Sequence, residues 1–230
     1  MPQIKARNTR RTVIRLAACA LSFGLMFAWF FWSRGRADID HTLIHMAVDD
    51  YIPLLKVFII PYVSWYPFIM LVPFIFAFRD GDDFWRLLIS FFGGTYLCLV
   101  YITFFPTGID FRPDSIPGSD PLAWMVNLLY KLDRPVNVFP SLHCYGALVL
   151  GVGVACAKRV KPIVRISVLL WSLVICASTV FVKQHSLADL IAGIIIALAF
   201  YGIVCLCFGL AAVIRARKTG AADAQGSDAA

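Results

Sequence analysis

Six apolar stretches, at about 13–32, 54–78, 87–106, 141–157, 162–182 and 187–213, dominate the sequence. A helix needs about 20 apolar residues to cross the roughly 30 Å hydrocarbon core of a bilayer. In hydrocarbon, backbone N–H and C=O groups must find partners within the protein, so runs of this kind fold as helices. The chain is therefore expected to be an all-α polytopic membrane protein with six transmembrane helices, one membrane domain over residues 1–230. Composition agrees, with 60% of residues hydrophobic and 15% charged, where a soluble domain carries about 45–50% and about 25%. A soluble globule and a disordered chain are both excluded. The first stretch follows a basic segment containing Lys5, Arg7, Arg10 and Arg11, as a signal peptide would. It ends in Ala-Trp-Phe-Phe-Trp with no small-x-small cleavage site close behind, and reads as an uncleaved span.

The net charge of +7 is distributed as a topology signal, which points to a membrane and not to nucleic acid. Fourteen Lys and Arg residues fall on one side: Lys5, Arg7, Arg10, Arg11 and Arg15, then Arg79 and Arg86, then Lys158, Arg159, Lys161 and Arg165, then Arg215, Arg217 and Lys218. Six fall on the other, Arg34, Arg36, Arg112, Lys131, Arg134 and Lys183, with Lys56 at a span edge. Both termini are expected in the cytoplasm, and the protein in the cell (inner) membrane. The tail 220–230 is rich in small residues and has nothing to bury, so no fixed structure is expected there. In the long outer loop, 107–140, Asp120-Pro121 reads as an N-cap and first helical residue. Leu122, Met125, Leu128 and Leu129 then suggest a short helix lying on the bilayer. The seven cysteines show no CxxC spacing and read as small buried apolar residues.

All 14 acidic residues are aspartate, so chemistry that needs a glutamate base, such as that of an HExxH metalloprotease, is excluded. Polar side chains at the rim of a membrane bundle are expensive and start as functional candidates. The outer rim gathers Asn137-Val-Phe-Pro-Ser-Leu-His143, Ser178-Thr179, Lys183-Gln184-His185-Ser186-Leu187-Ala188-Asp189 and Arg112-Pro113. The helix beginning after Pro140-Ser141 would offer backbone N–H groups to an anion, and Arg112 a fork of further donors. His185 and Asp189 are four residues apart, so the carboxylate can hold one imidazole nitrogen and leave the other as a nucleophile. His143 is then the natural proton donor to a leaving oxygen. Such a set suits phosphoryl transfer through a phosphohistidine.

Plainer readings exist for each residue. Ser186-x-x-Asp189 is also a capping box, Ser141 a simple N-cap, and Ser178 a residue that can bond back to its own helix. His41 and His45 are four apart, but no third metal ligand accompanies them. Asp49 and Asp50 read as residues that cap or tether a helix start.

Taken together, the rim residues resemble the type 2 phosphatidic acid phosphatase superfamily of membrane lipid phosphatases, with motifs Lys-x6-Arg-Pro, Pro-Ser-Gly-His and Ser-Arg-x5-His-x3-Asp. The second stands here as Pro140-Ser141-Leu142-His143 and the third as Ser178-Thr179, five residues, His185, three residues, Asp189. The first survives as Arg112-Pro113, with Phe105 in the lysine position; Arg134-Pro135 is a rival match. Leu142 replaces glycine and Thr179 replaces arginine, and Lys183 is a candidate to supply the missing cationic contact. Phe139-Pro-Ser-Leu-His143, Asp49-Asp-Tyr-Ile-Pro53 and Pro61-Tyr-x-x-Trp-Tyr66 look most like the inositol-phosphorylceramide-synthase branch.

The resemblance implies a helical catalytic core over about 85–213 at the extracytoplasmic face, with neither metal nor cofactor. It implies that His185 attacks phosphorus, oriented by Asp189, and that His143 handles the leaving-group proton. Arg112, Ser141, Ser178 and Lys183 would hold phosphate oxygens. The expected partners are the membrane and a lipid phosphate or phospholipid substrate, with no nucleic acid. The leading expectation is a lipid phosphatase or phosphotransferase. The alternatives are a synthase-like headgroup transferase to a lipid alcohol and a non-catalytic lipid-binding membrane protein.

Overall fold

The computed structural model describes residues 2–35, 40–79 and 81–227. Its α-helices are α1 (Pro2–Arg34), α2 (Ile59–Ala77), α3 (Asp83–Phe104), α4 (Pro121–Leu132), α5 (Leu142–Cys156), α6 (Pro162–Phe181) and α7 (Leu187–Ser227). Two-residue strands β1 (Thr42–Leu43) and β2 (Thr107–Gly108) pair in parallel and join the loop after α1 to the loop after α3. Arg36, counted above for the outer face, lies outside the described residues, as do tail residues 228–230. The backbone of 220–227 continues α7, and the side chains there are not among those described.

Among the described residues, five helical segments are long and apolar enough to cross a membrane: Thr9–Ser33, Lys56–Ala77, Asp83–Phe104, Pro162–Phe181 and Leu187–Arg217. Their outward faces stay apolar, with Leu21, Phe31, Ile163 and Leu206 each more than half exposed. Exposed apolar surface on this scale suits a multi-pass membrane protein. Of the six expected spans, the one at 141–157 is shorter than the rest. That stretch forms a helix of 15 residues, Leu142–Cys156, or about 22 Å at about 1.5 Å per residue. Pro140 stands just before it, and Lys158-Arg159-Val160-Lys161-Pro162 turns the chain after it.

This short helix is nevertheless the centre of the bundle. It is apolar on every side, the pattern of a helix surrounded by protein, and it packs against α6, α7, α3 and α2. All but Leu142, Val152, Ala155 and Cys156 of its residues are buried. Two close approaches fix its position. A Cβ at Gly94 of α3 would fall on the Tyr145 side chain, whose hydroxyl donates to the Ser90 carbonyl. At Gly193 of α7, a Cβ would sit 2.9 Å from both the Cys144 Cβ and the Ser141 carbonyl oxygen. The Ser141 N–H also donates to the Asp189 carbonyl at 3.3 Å. The first turns of α5 and α7 therefore meet backbone to backbone.

A second, smaller core lies beneath α4, where Ala123, Val126, Leu129 and Tyr130 pack with Ile59, Tyr62, Ile116 and Val182. Asp120 caps α4 by accepting from the Ala123 N–H at 3.2 Å, as the sequence predicts. Of the apolar repeat, Leu129 is buried and Leu128 exposed, while Ala123, Val126 and Tyr130 take the other inner positions. The helix is fastened inward by the Tyr130 hydroxyl, which donates to the Val182 carbonyl at 2.9 Å. All seven cysteines are free, with Cys19, Cys98, Cys144 and Cys176 buried and Cys156 and Cys207 exposed.

Gly193→Ala should drive α7 away from α5. Overpacking of this kind costs about 1–3 kcal/mol, so thermal unfolding in detergent should show a lowered midpoint, whereas Gly209→Ala, where a Cβ meets nothing within 4 Å, should leave it unchanged.

Candidate active site

The two histidines come from elements that meet at the α5–α7 contact. His143 stands in the first turn of α5, and His185 two residues before α7 begins. Their ring centroids are 5.8 Å apart, with the planes inclined at 59°. Both line one cleft of about 880 Å³ of empty space, part of it open to the outside. One wall is apolar, from Met26, Phe27 and Phe30 of α1 and Phe91 and Leu99 of α3; the other carries Asp133, Arg134, Asn137 and Gln184.

The turn that delivers His185 is a Schellman motif. Lys183 adopts φ +53° just past the end of α6, its N–H bonds the Val180 carbonyl, and the Gln184 N–H bonds the Thr179 carbonyl at 3.0 Å. The chain reverses there and enters α7 through two carboxylates. Asp189 Oδ2 accepts from the Ser186 N–H at 2.9 Å and lies 3.2 Å from His185 Nδ1. Capping and histidine orientation are thus performed by the same oxygen. Asp49, 1% exposed, supplies the second carboxylate: Oδ2 accepts from Ser186 Oγ at 2.6 Å and Oδ1 from the Leu187 N–H at 2.8 Å. It tethers a helix start 138 residues further along the chain.

Burial lowers the pKa of His185, but the hydrogen bond and charge of Asp189 outweigh it, and the ring ends above its ordinary value. His143 packs among aromatic rings of α2, with centroids 4.6 Å from Tyr62 and 4.1 Å from Trp65 and the edge of Tyr66 beyond. Its Nε2 is buried without a hydrogen-bond partner.

The other candidates from the sequence stand further back. Arg112 does not line the cleft; it donates to the Asp133 carbonyl at 2.7 Å and to Gln184 Oε1 at 2.9 Å, and stacks over Tyr130 at 4.5 Å. Ser141 is fully buried, and its Oγ accepts from the Cys144 N–H at 3.2 Å, so it acts as the N-cap of α5. With the Ser141 N–H on Asp189, two backbone donors expected to face an anion are already occupied. Ser178 Oγ donates to the carbonyl of Ile175 in its own helix at 2.6 Å. Lys183 Nζ donates to the Asp49 carbonyl at 2.6 Å and lies over the Phe111 ring. Burial, outweighing Asp49 and Asp50, lowers its pKa. These three side chains are absent from the cleft wall.

His45 lies 2.9 Å from Asp50 and 3.0 Å from Asp110. Among the described residues, no group of three or more His, Cys or Asp side chains could hold a metal ion.

Sequence reasoning missed the long-range role of Asp49 and the place of Gln184. An acidic pair before Tyr51 suggests a local cap, and nothing in the chain order points from Asp49 to Leu187. Gln184 sits at a position that the motif leaves open. The aromatic neighbours of His143 had a signal, the Tyr62-x-x-Trp65-Tyr66 spacing, which puts three rings on one side of a helix.

The geometry can be set beside known proteins. Residues 115–203 match the family model described as the PAP2 superfamily. That supports the type 2 phosphatidic acid phosphatase superfamily. The match covers the Pro140–His143 and Ser178–Asp189 motifs and begins after Arg112. No curated protein and no solved structure matches the chain. The superfamily suggests a membrane phosphatase-type function.

Two outcomes test the turn. Asp189→Asn keeps the shape but removes the charge that raises His185. If the neutral ring is the working form, the acid limb of kcat/KM should move to lower pH, because less basic imidazole is deprotonated sooner as pH rises; a limb that stays put would reject the assignment. Asp49→Ala leaves Ser186 Oγ and the Leu187 N–H without their carboxylate partner, at about 1–3 kcal/mol for a buried group. A lowered unfolding midpoint should report this.

Proposed function

We propose that the protein is an integral-membrane lipid phosphatase or phosphotransferase that works through a phosphohistidine on His185 at the extracytoplasmic face. The observation that carries this reading is the 5.8 Å separation of the His143 and His185 rings across one cleft. Near-attack contacts run to about 3–3.5 Å, so two imidazoles at this spacing can flank a single phosphoryl group. With Nδ1 turned to Asp189, the Nε2 lone pair of His185 attacks phosphorus. The P–O bond to the leaving alcohol breaks, and His143 gives its proton to the departing oxygen. Water then attacks the phosphohistidine while His143 takes a proton back, the P–N bond breaks, and inorganic phosphate leaves.

The substrate class follows from the walls. The aromatic and aliphatic side chains of α1 and α3 suit a lipid tail, and the polar side suits a phosphorylated headgroup. Asp189 serves His185 as orienter, and Ser141 and Ser178 act by holding the helix ends. The full arrangement uses six crossings, the short α5 being one of them, with both termini in the cytoplasm. This places the cleft outside, in keeping with the fourteen-to-six asymmetry of basic residues.

A second reading is transfer to a lipid alcohol, as in the inositol-phosphorylceramide-synthase branch. The apolar cleft wall and the rings of Tyr62 and Trp65 over His143 favour it, because a poorly hydrated site protects a phosphohistidine from water. The two readings differ only in the oxygen that attacks the intermediate.

Purified protein given labelled phosphatidate should release labelled phosphate, or move label into a new lipid when a lipid alcohol is supplied. His143→Ala and His185→Ala should each abolish turnover while the protein still inserts and unfolds cooperatively, and EDTA should have no effect. Wild-type turnover retained by both variants would leave only a lipid-binding role.

A further inference from the structure

The superfamily pattern brings two cationic phosphate contacts that this chain lacks, since Phe105 and Thr179 stand in their places. Lys183, the available substitute, spends its ammonium on the Asp49 carbonyl. Arg112 spends its guanidinium on the Asp133 carbonyl, the Tyr130 ring and Gln184. On the polar wall, Asp133 and Arg134 bring opposite charges and set no net sign. A phosphoryl group beside the histidines would therefore draw on neutral hydrogen-bond donors of the cleft.

Gln184 is placed to be one. It is 3% exposed and lines the cleft with His143 and His185. Its amide orientation is dictated by its neighbour: a guanidinium only donates, so the atom 2.9 Å from Arg112 Nη1 must be the oxygen, Oε1. The NH2 group is thereby turned away from Arg112, and Nε2 is buried with no partner. Buried amide donors are nearly always satisfied, and an unmet one calls for an explanation. Two more unpartnered polar atoms, His143 Nε2 and Trp65 Nε1, belong to residues that line the same cleft. Three unmatched groups around one small space, each able to donate to oxygen, suit an oxyanion. The bond from Arg112 also polarises the amide, drawing electron density toward Oε1 and strengthening the N–H donors.

We propose that Gln184 is a phosphate-binding residue: its amide NH2 holds a non-bridging phosphoryl oxygen, and Arg112 acts behind it as the positioning residue. The assignment rests on the phosphoryl-transfer reading above and deepens it. A neutral, pre-oriented amide takes the place of a flexible cation, and the charge of Arg112 is felt through it.

Orthovanadate, a phosphate-shaped anion, provides the probe, titrated into the full-length protein in detergent. Gln184→Met removes the amide at similar volume. It should weaken vanadate binding by about 10- to 100-fold, the worth of a hydrogen bond to a charged group. The unfolding midpoint is not the deciding readout, because Gln184→Met removes the unmet NH2 but also the Oε1 that accepts from Arg112; the loss of vanadate affinity decides. Gln184→Glu can still pair with Arg112 and so keeps the fold, but it should repel the anion and bind more weakly still. Arg112→Lys should weaken binding in the wild-type background and add no further loss to Gln184→Met. Binding as tight as wild type in both Gln184 variants, with His185→Ala binding lost, would overturn this assignment and leave the two-histidine reading standing. Wild-type protein that neither binds vanadate nor turns over any lipid phosphate would remove both.

Discussion

Everything at the rim depends on how closely α7 approaches the start of α5. Side chains ordinarily hold two helix axes about 8–10 Å apart. Gly193 removes that spacer. With no Cβ there, the Ser141 carbonyl and Cys144 reach the α7 backbone, and the Ser141 N–H finds the Asp189 carbonyl. Asp189 lies four residues before Gly193 and His185 four before Asp189. Close contact and orienting carboxylate therefore share one face of α7, and the carboxylate reaches back to His185 in the turn before the helix. The packing that sets the helix distance also sets the ring distance.

Around that contact the protein invests in rigidity more than in charge. The α6–α7 reversal is closed by a Schellman turn that places Lys183 in a left-handed conformation without glycine, a position usually disfavoured for a side chain. Ties from the rest of the chain offset this, with Lys183 on the Asp49 carbonyl and Asp49 on Ser186 and Leu187. The segment after α1 thus becomes part of the wall that fixes His185, although it lies outside the matched stretch 115–203. The phosphate contact proposed for Gln184, a neutral and held donor, is the counterpart of that design. A pre-oriented group in a low-dielectric site needs little reorganisation when charge develops.

The helical framework was legible because bilayer thickness imposes a length on apolar runs, and five of the six expected runs reach it. The sixth falls short of that length: 141–157 is apolar and surrounded by protein, and burial inside a bundle and contact with lipid leave the same hydropathy in a sequence. The α4 cap at Asp120 was readable, since a cap is a local bond between near neighbours. Its inner face was not, because Leu122, Met125 and Leu128 are as apolar as Ala123, Val126 and Tyr130, and only the shape of the neighbouring surface chooses between them.

The sequence by itself determined the class of the molecule, the grouping of His143, His185 and Asp189 at one rim, and the pairing of His185 with Asp189, because each follows from hydropathy, chain parity or a four-residue spacing. Tertiary structure decided which polar side chains reach the cleft. Arg112, Ser141, Ser178 and Lys183 all have the chemistry to hold phosphate, yet each is engaged by a nearer carbonyl, amide N–H or ring. Gln184, with no charge to advertise it, lines the cleft with its amide donor unmet. A hydrogen-bonding side chain is available only when no closer partner claims it, and that competition is settled by folded distances, which the order of residues does not contain.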